Sequence, residues 1–397
     1  MVYIENILSE ALTKGASDIH LAKGQKPILR IKKELKKMEN YEEITEEDTW
    51  SIFRFFIKDD EAINQVFNKE KKLDINFEFS GYRLRVNVSL AMESKVFTIR
   101  IIQNSLPTYA QLHLPDVLKN LISFPQGLIL ITGKSGSGKS TTLNALIAEI
   151  NDTESKKILT LEKPIEYVHT SNRSLIIQKE IGVGRDCETF SEGVKNALRE
   201  DCDILIVGEI VDRETMDAAI EMSESGHLVI GTMHTRSCSE TVDRILNFYQ
   251  TDEQANIKNV VSTLLVAVIS QRLIKGLSNE LVLIPEVMIV DDVVSSLIRK
   301  EKFSKSEIED AIQTKMDKGS IGLIYSLAKA VIDNRITLEQ AEEQIVPEKH
   351  ELLSKIIWQQ KLASGKNQPV SNNPGPVGSS GNNAGGFTLG QGGRFRR

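Results

Sequence analysis

The sequence predicts an α/β protein: a mainly parallel sheet covered on both faces, a smaller α+β domain before it, and helices after it. Three observations carry this. An apolar strand, Leu128–Ile131, leads into Gly133-Lys134-Ser135-Gly136-Ser137-Gly138-Lys139-Ser140 and then an amphipathic segment with Leu143, Leu146 and Ile147 on one face. From about residue 113, apolar runs of strand length (Leu128–Thr132, Ile158–Leu161, Ile204–Val207, Leu228–Thr232) are mostly separated by helical segments, the pattern of a sheet buried on both sides. Before that, strands and helices alternate without any βαβ order, as in a small α+β domain.

Each element has its own signal. Ile4, Ile7, Leu8, Ala11 and Leu12 lie at helical spacing, and Gly15 stops the helix. Short strands follow around a Gly24–Lys26 turn, with alternation at Arg30-Ile31-Lys32. A single helix is expected over Glu46–Val66, apolar at Ile52, Phe55, Phe56 and Ile63. Strands are expected at Ile75–Phe79, Tyr82–Val88 and Val96–Ile102. Pro107 marks a linker, placed at 106–112, between a domain at 1–105 and one at 113–300. Helices are expected over 301–363, with capping-box patterns at Ser304–Glu307 and Thr337–Gln340 and a stop at Pro347. The segment 364–397 is Gly, Asn, Ser and Pro with few apolar residues, so a disordered tail is expected.

Composition narrows the partners. The 397 residues are 40% hydrophobic and 26% charged, with a formal net charge of −6. That balance disfavours a nucleic-acid partner. The three cysteines, Cys187, Cys202 and Cys238, form no C-x-x-C pair and read as reduced thiols of a cytoplasmic protein. No apolar run approaches a membrane span; the longest, Val260–Ile269, is broken by Ser262 and Thr263. Any action at a membrane is then expected through partners.

The chemistry is concentrated around the glycine-rich stretch. G-x-x-x-x-G-K-S between a strand and a helix is a P-loop: its glycines let backbone N–H groups turn inward on a phosphate, and the helix N-terminus adds partial positive charge. In this reading Lys139 reaches the β- and γ-phosphates of ATP and the Ser140 hydroxyl ligates Mg²⁺. Ligands in such sheets sit at the carboxyl ends of strands. Three other strands end in candidates: Asp203–Glu209 delivers Glu209, Ile158–Glu162 delivers Glu162 with Glu166 beyond it, and Leu228–His234 delivers His234. One acid can hold Mg²⁺, for which Glu209 is in the position of a Walker B acid, and one can orient the attacking water. His227 and His234 are seven residues apart on an extended run, hence about 20 Å and at opposite strand ends at roughly 3.3 Å per residue. His227 is therefore open to either a structural or a nucleotide-binding role. Arg83, Arg85 and Arg100 on the preceding domain's strands can supply further positive charge, with solvated strand faces as the alternative.

These residues fall into an order that resembles the secretion-type ATPases of type IV pilus systems, and within them the PilT-type retraction motors. The resemblance runs to about residue 350. It rests on Ala16–Leu21, Arg83–Asn87 with Arg100, Gly133–Thr142, Thr160–Tyr167 (the Asp box), Ala197–Asp201, Ile206–Glu209 (the Walker B), Gly226–Thr235 (the His box) and Ser270–Leu273. It implies a PAS-like N-terminal domain, a RecA-like ATPase domain and a homohexameric ring that hydrolyses ATP with Mg²⁺. It also implies an inner-membrane platform partner met from the cytoplasmic face. Carried over residue by residue, Glu209, Glu162, His234, Arg85 and Arg100 are expected to be catalytic. Gly133 to Thr141, with Glu166 and His227, are expected to bind nucleotide, and Ser140 and Glu209 the metal.

Two departures stand out. Lys163 replaces the aspartate of the Asp box, and Val293–Lys300 matches the family's retraction motif identically only at Leu297, Ile298 and Arg299. Extension and secretion relatives usually carry an additional N-terminal domain and a cysteine quartet, and neither feature is found here. Retraction is therefore the expected function, with extension or secretion, or an accessory paralogue that regulates a sister motor, as alternatives.

Overall fold

The computed structural model describes residues 4–31, 34–102, 106–182, 185–278, 280–314 and 318–363. The expected tail at 364–397 and the first residues past Ile102 lie outside them. The N-terminal unit contains helix α1 (Ile4–Thr13), strands β1 (Asp18–Leu21), β2 (Ile28–Ile31) and β3 (Glu34–Lys37), helices α2 (Glu46–Ile57) and α3 (Glu61–Glu70), and strands β4 (Lys72–Phe79), β5 (Tyr82–Ala91) and β6 (Ser94–Ile102). The strands form one sheet in the order β3-β2-β1-β6-β5-β4, every pair antiparallel. One face is the core: Ile19, Leu21, Leu84, Val86, Val88, Phe97 and Ile99 pack against Ile7 and Leu8 of α1 and Ile52, Phe53 and Phe56 of α2. Because successive strand residues point to opposite faces, Arg83, Arg85 and Arg100 share the other face.

The single helix expected over Glu46–Val66 is two. The chain leaves the helix at Lys58 and Asp59, both in the left-handed region at φ 52° and 55°. Asp60 then starts α3, its Oδ1 accepting from the Ala62 and Ile63 amides at 2.9 and 3.3 Å. A short acidic side chain that can cap the next helix competes with continuation of the first.

The second unit holds a seven-stranded sheet. After α4 (Val117–Leu121) come β7 (Gly127–Thr132), α5 (Lys139–Thr153), β8 (Lys157–Glu162), β9 (Leu175–Glu180), α6 (Phe190–Ala197) and β10 (Ile204–Val207). Then follow α7 (Arg213–Glu224), β11 (Leu228–Met233), α8 (Cys238–Leu246), α9 (Gln254–Leu264), β12 (Leu265–Lys275) and β13 (Leu281–Ile289). The order is β13-β12-β7-β11-β10-β8-β9, parallel throughout except for β13. Alternate residues feed two cores: Leu128, Leu130, Leu205, Val207 and Val229 on one face, and Ile129, Ile131, Ile204, Ile206 and Ile230 on the other. The sheet is thus α/β but mixed, and β9, β12 and β13 go beyond the runs read as strands. The apolar run Val260–Ile269 crosses the boundary between α9 and β12 without a glycine or proline, so composition hides the change of state.

Helices α10 (Asp292–Arg299), α11 (Lys305–Thr314), α12 (Leu323–Ile332), α13 (Leu338–Glu342) and α14 (His350–Ala363) complete the described chain. The expected capping box at Thr337 is formed: Gln340 N donates to Thr337 Oγ1 at 3.1 Å and Thr337 N to Gln340 Oε1 at 2.9 Å. At Ser304 the Glu307 carboxylate is instead taken by Lys300 Nζ, at 2.8 and 2.9 Å. Within α10, Ile298 is fully buried and Leu297 packs against the same core, so this segment is anchored to the sheet. The three cysteines are buried and free.

Candidate functional site

The loop between β7 and α5 is shaped by its glycines. Gly138 caps α5 at φ 88° and leaves Lys139 as the first helical residue. Gly133 sits at φ 151°, and a Cβ there would lie 2.3 Å from Ser137 Oγ and 2.6 Å from the Gln271 carbonyl. Glycine is therefore required for the loop to close under a phosphate. Gly133→Ala is expected to weaken nucleotide binding by about 5- to 150-fold, because displacing backbone and loop together costs on the order of 1–3 kcal/mol. Titration with a fluorescent ATP analogue measures this; unchanged affinity would show that the loop adjusts at no cost.

Lys139 is buried, and its Nζ donates to the Gly133 carbonyl at 2.9 Å and the Lys134 carbonyl at 3.3 Å. Burial pulls its ammonium below the usual lysine value, while Glu209 and Glu166 act in the opposite direction. A phosphate brought to the loop replaces weak carbonyl partners by a full counter-charge. From the back, Gln271 of β12 holds α5, its Nε2 donating to Thr142 Oγ1 at 2.7 Å.

Parallel pairing of β8, β10 and β11 brings their ends together: Val207 is opposite Leu161 and Gly231. Glu162, Glu209 and His234 follow at those ends. His234 Nε2 lies 2.9 Å from Glu209 Oε1. Glu162 is buried, and its Oε1 accepts from Thr160 Oγ1 at 2.8 Å and Gln178 Nε2 at 2.9 Å. Burial pushes its carboxyl above the usual range, against the pull of those two donors. These three residues line one cavity of about 490 Å³ with Ser135, Gly136, Gly138, Lys139, Ser140, Thr141 and Glu166. Lys163 lines it too, so the replaced Asp-box position faces the same space.

Other candidates lie elsewhere within one chain. Gly133 is beneath the loop as an acceptor for Lys139. Lys134 and Ser137 face a second cavity of about 420 Å³ with Arg236 and Arg272. His227 precedes β11 at its far end, with Nδ1 2.9 Å from Ser225 Oγ and 3.2 Å from the Met222 carbonyl. Arg85 and Arg100 are directly opposite each other on β5 and β6, which explains their spacing in sequence. Arg100 pairs with Asp18 at 3.0 Å and Arg85 with Asp74 at 3.7 Å, and neither lines the cavity around Lys139. Arg83 reaches across to the sheet unit, to Glu180 at the end of β9, at 3.2 Å. Asn76 also donates to Glu180.

The residues suit magnesium nucleotide. Among the described residues no cluster of three or more His, Cys, Asp or Glu side chains could by itself cage a metal. Ser140 and Glu209 nevertheless share the cavity with the phosphate loop. Mg²⁺ usually keeps water and substrate phosphates as most of its ligands, which fits two protein oxygens and a triphosphate. Sequence reading missed Gln178, His169 and Asn144, neutral or weakly basic residues outside the motifs, and gave Gln271 no role beyond its place in Ser270–Leu273; only tertiary contact gives them roles.

The comparisons with known proteins give the family. The model of the type II/IV secretion system protein family matches residues 1–364. The chain is 36% identical over 347 residues to the type IV pilus retractation ATPase PilT of Pseudomonas aeruginosa, covering 87% of this chain and 99% of that one. It is 33% identical over 320 residues to the twitching motility protein of Neisseria gonorrhoeae, covering 80% and 84%. The crystal structure of the pilus retraction motor PilT with bound ADP matches with a TM-score of 0.82 at 35% identity, covering 89% of this chain and 100% of that one. A chain matched over this length, with a formed phosphate loop, three carboxylates and a histidine at one cleft, belongs to the type II/IV secretion system protein family and is an ATPase.

Proposed function

We propose that this chain is the ATP-driven motor of type IV pilus retraction, the process behind twitching motility. The observation that carries the reading is the shared cleft of Lys139, Glu162, Glu209 and His234 in a chain similar over most of its length to a retraction ATPase. The phosphate loop and Lys139 hold the triphosphate, and Ser140 with Glu209 would hold Mg²⁺, which neutralises phosphate charge. Glu162, fixed by Thr160 and Gln178, orients water toward the γ-phosphate, and His234 holds Glu209 in place. The domains carry over as a PAS-like unit at 1–105, a linker at 106–112, a RecA-like unit at 113–300 and a helical segment at 301–363. The six-stranded antiparallel sheet and the seven-stranded, mainly parallel sheet support this division. The ring is a homohexamer that works against an inner-membrane platform protein from the cytoplasmic side. Among the described residues no helix is long and apolar enough to cross a membrane, which suits contact through a partner.

Arg85 and Arg100 enter the chemistry when the sheet face they share closes on a nucleotide. Arg100 is the better probe because its side chain is 65% exposed. Arg100→Ala is expected to lower kcat at least about tenfold while the ring still forms. Phosphate release from ATP by the purified protein, with and without Mg²⁺, tests both claims. A wild-type chain that binds ATP and releases no phosphate belongs to the accessory reading, which Lys163 in the cleft favours. A normal kcat in Arg100→Ala returns that arginine to its ion pair with Asp18.

A further inference from the structure

The carboxylate Glu162 and the magnesium-side residue Ser140 come from different elements, β8 and α5, and catalysis needs a fixed distance between them. A line of hydrogen bonds joins the two through a residue without an assigned role. Gln178 of β9 donates from Nε2 to Glu162 Oε1 at 2.9 Å and to the Tyr167 carbonyl at 2.8 Å. Its Oε1 accepts from the His169 amide at 2.8 Å. The His169 ring reaches α5, with Nε2 2.6 Å from Asn144 Oδ1. Asn144 Nδ2 in turn donates to the Ser140 carbonyl at 2.9 Å. Every donor in the line meets an acceptor, and one side of Gln178 serves the carboxylate while the other serves the histidine.

The line also fixes the proton on His169. Asn144 spends its amide N–H on Ser140, so Oδ1 faces the ring and requires a donor. Nε2 must then carry the hydrogen. Burial holds His169 below the ordinary histidine pKa, which favours the neutral ring, and in that ring Asn144 selects the Nε2–H tautomer. Asn144 is 1% exposed, and without His169 its oxygen is left with no donor in a buried place, a costly arrangement that the first turn of α5 relieves by shifting.

We propose that His169 is a positioning residue of the ATPase site, holding the first turns of α5 through Asn144 in register with the Glu162 loop. It does not line the cavity around Lys139, whereas Asn144 does; it acts through Asn144 and Ser140. The inference rests on the hydrolysis reading above. The loop amides and Lys139 still bind phosphate when the register loosens, so the loss falls on the reaction step.

The test is a set of three single variants of the full chain and one double variant, each measured for kcat by phosphate release and for Kd with a fluorescent ATP analogue. His169→Phe keeps ring volume and removes the donor; kcat is expected to fall about tenfold with Kd within about threefold of wild type. His169→Gln places an amide nitrogen near the Nε2 position and is expected to recover kcat to within about twofold. Asn144→Ala removes the middle of the line, lowers kcat like His169→Phe, and combining the two adds no further loss. Melting curves establish that the variants fold. If His169→Phe does not fold, Asn144→Ala within an intact α5 carries the same expectation. Wild-type kcat in His169→Phe or Asn144→Ala, or equal loss in the Phe and Gln variants, overturns the inference while leaving the ATPase reading in place. Absence of hydrolysis by the wild type overturns both.

Discussion

Replacing Lys139 by alanine is expected to abolish binding and hydrolysis together, whereas Glu209→Gln keeps binding and stops hydrolysis. The two residues face the same cavity but act at different stages. Lys139 is a buried ammonium that donates to two loop carbonyls, so the ground-state triphosphate is its natural counter-ion. Its removal costs affinity from the first encounter. Glu209 stands at the end of β10 against His234 Nε2, and glutamine keeps its shape and one acceptor while removing the charge. Loss of a group that acts mainly in the reaction lowers kcat and leaves binding nearly unchanged. A drop of about a hundredfold or more is expected for Glu209→Gln, the scale on which single preorganised groups act. Parallel measurement of nucleotide affinity and phosphate release separates the stages. Equal loss of affinity in both variants would contradict the division.

How much of this site could be read in the sequence depends on how local its chemistry is. The phosphate loop is written in consecutive residues because backbone amides and two glycine conformations do the binding. Glu162, Glu209 and His234 were legible because a parallel sheet aligns the carboxyl ends of its strands, so any side chain just past an apolar run becomes a candidate. Arg85 and Arg100 were legible as strand residues, and the antiparallel register of β5 and β6 sets them side by side. Their partners Asp74 and Asp18 were not legible, since strand pairing decides them. The helix break at Lys58 and the strand β12 were hidden for a different reason: one depends on a cap made by Asp60, the other on a helix-to-strand change within a continuous apolar run. The line from Glu162 through Gln178 and His169 to Asn144 was invisible because each contact joins elements that only the folded sheet brings together.

The central claim, that ATP turnover at this cleft shortens a filament, is tested most directly by imaging labelled pili on cells that lack the protein. The imaging is repeated after complementation with wild type or with Glu209→Gln. Loss of the chain should leave more surface pili that fail to shorten. Wild type should restore shortening, and Glu209→Gln should not. Bald cells after deletion would contradict the account and make this an extension motor.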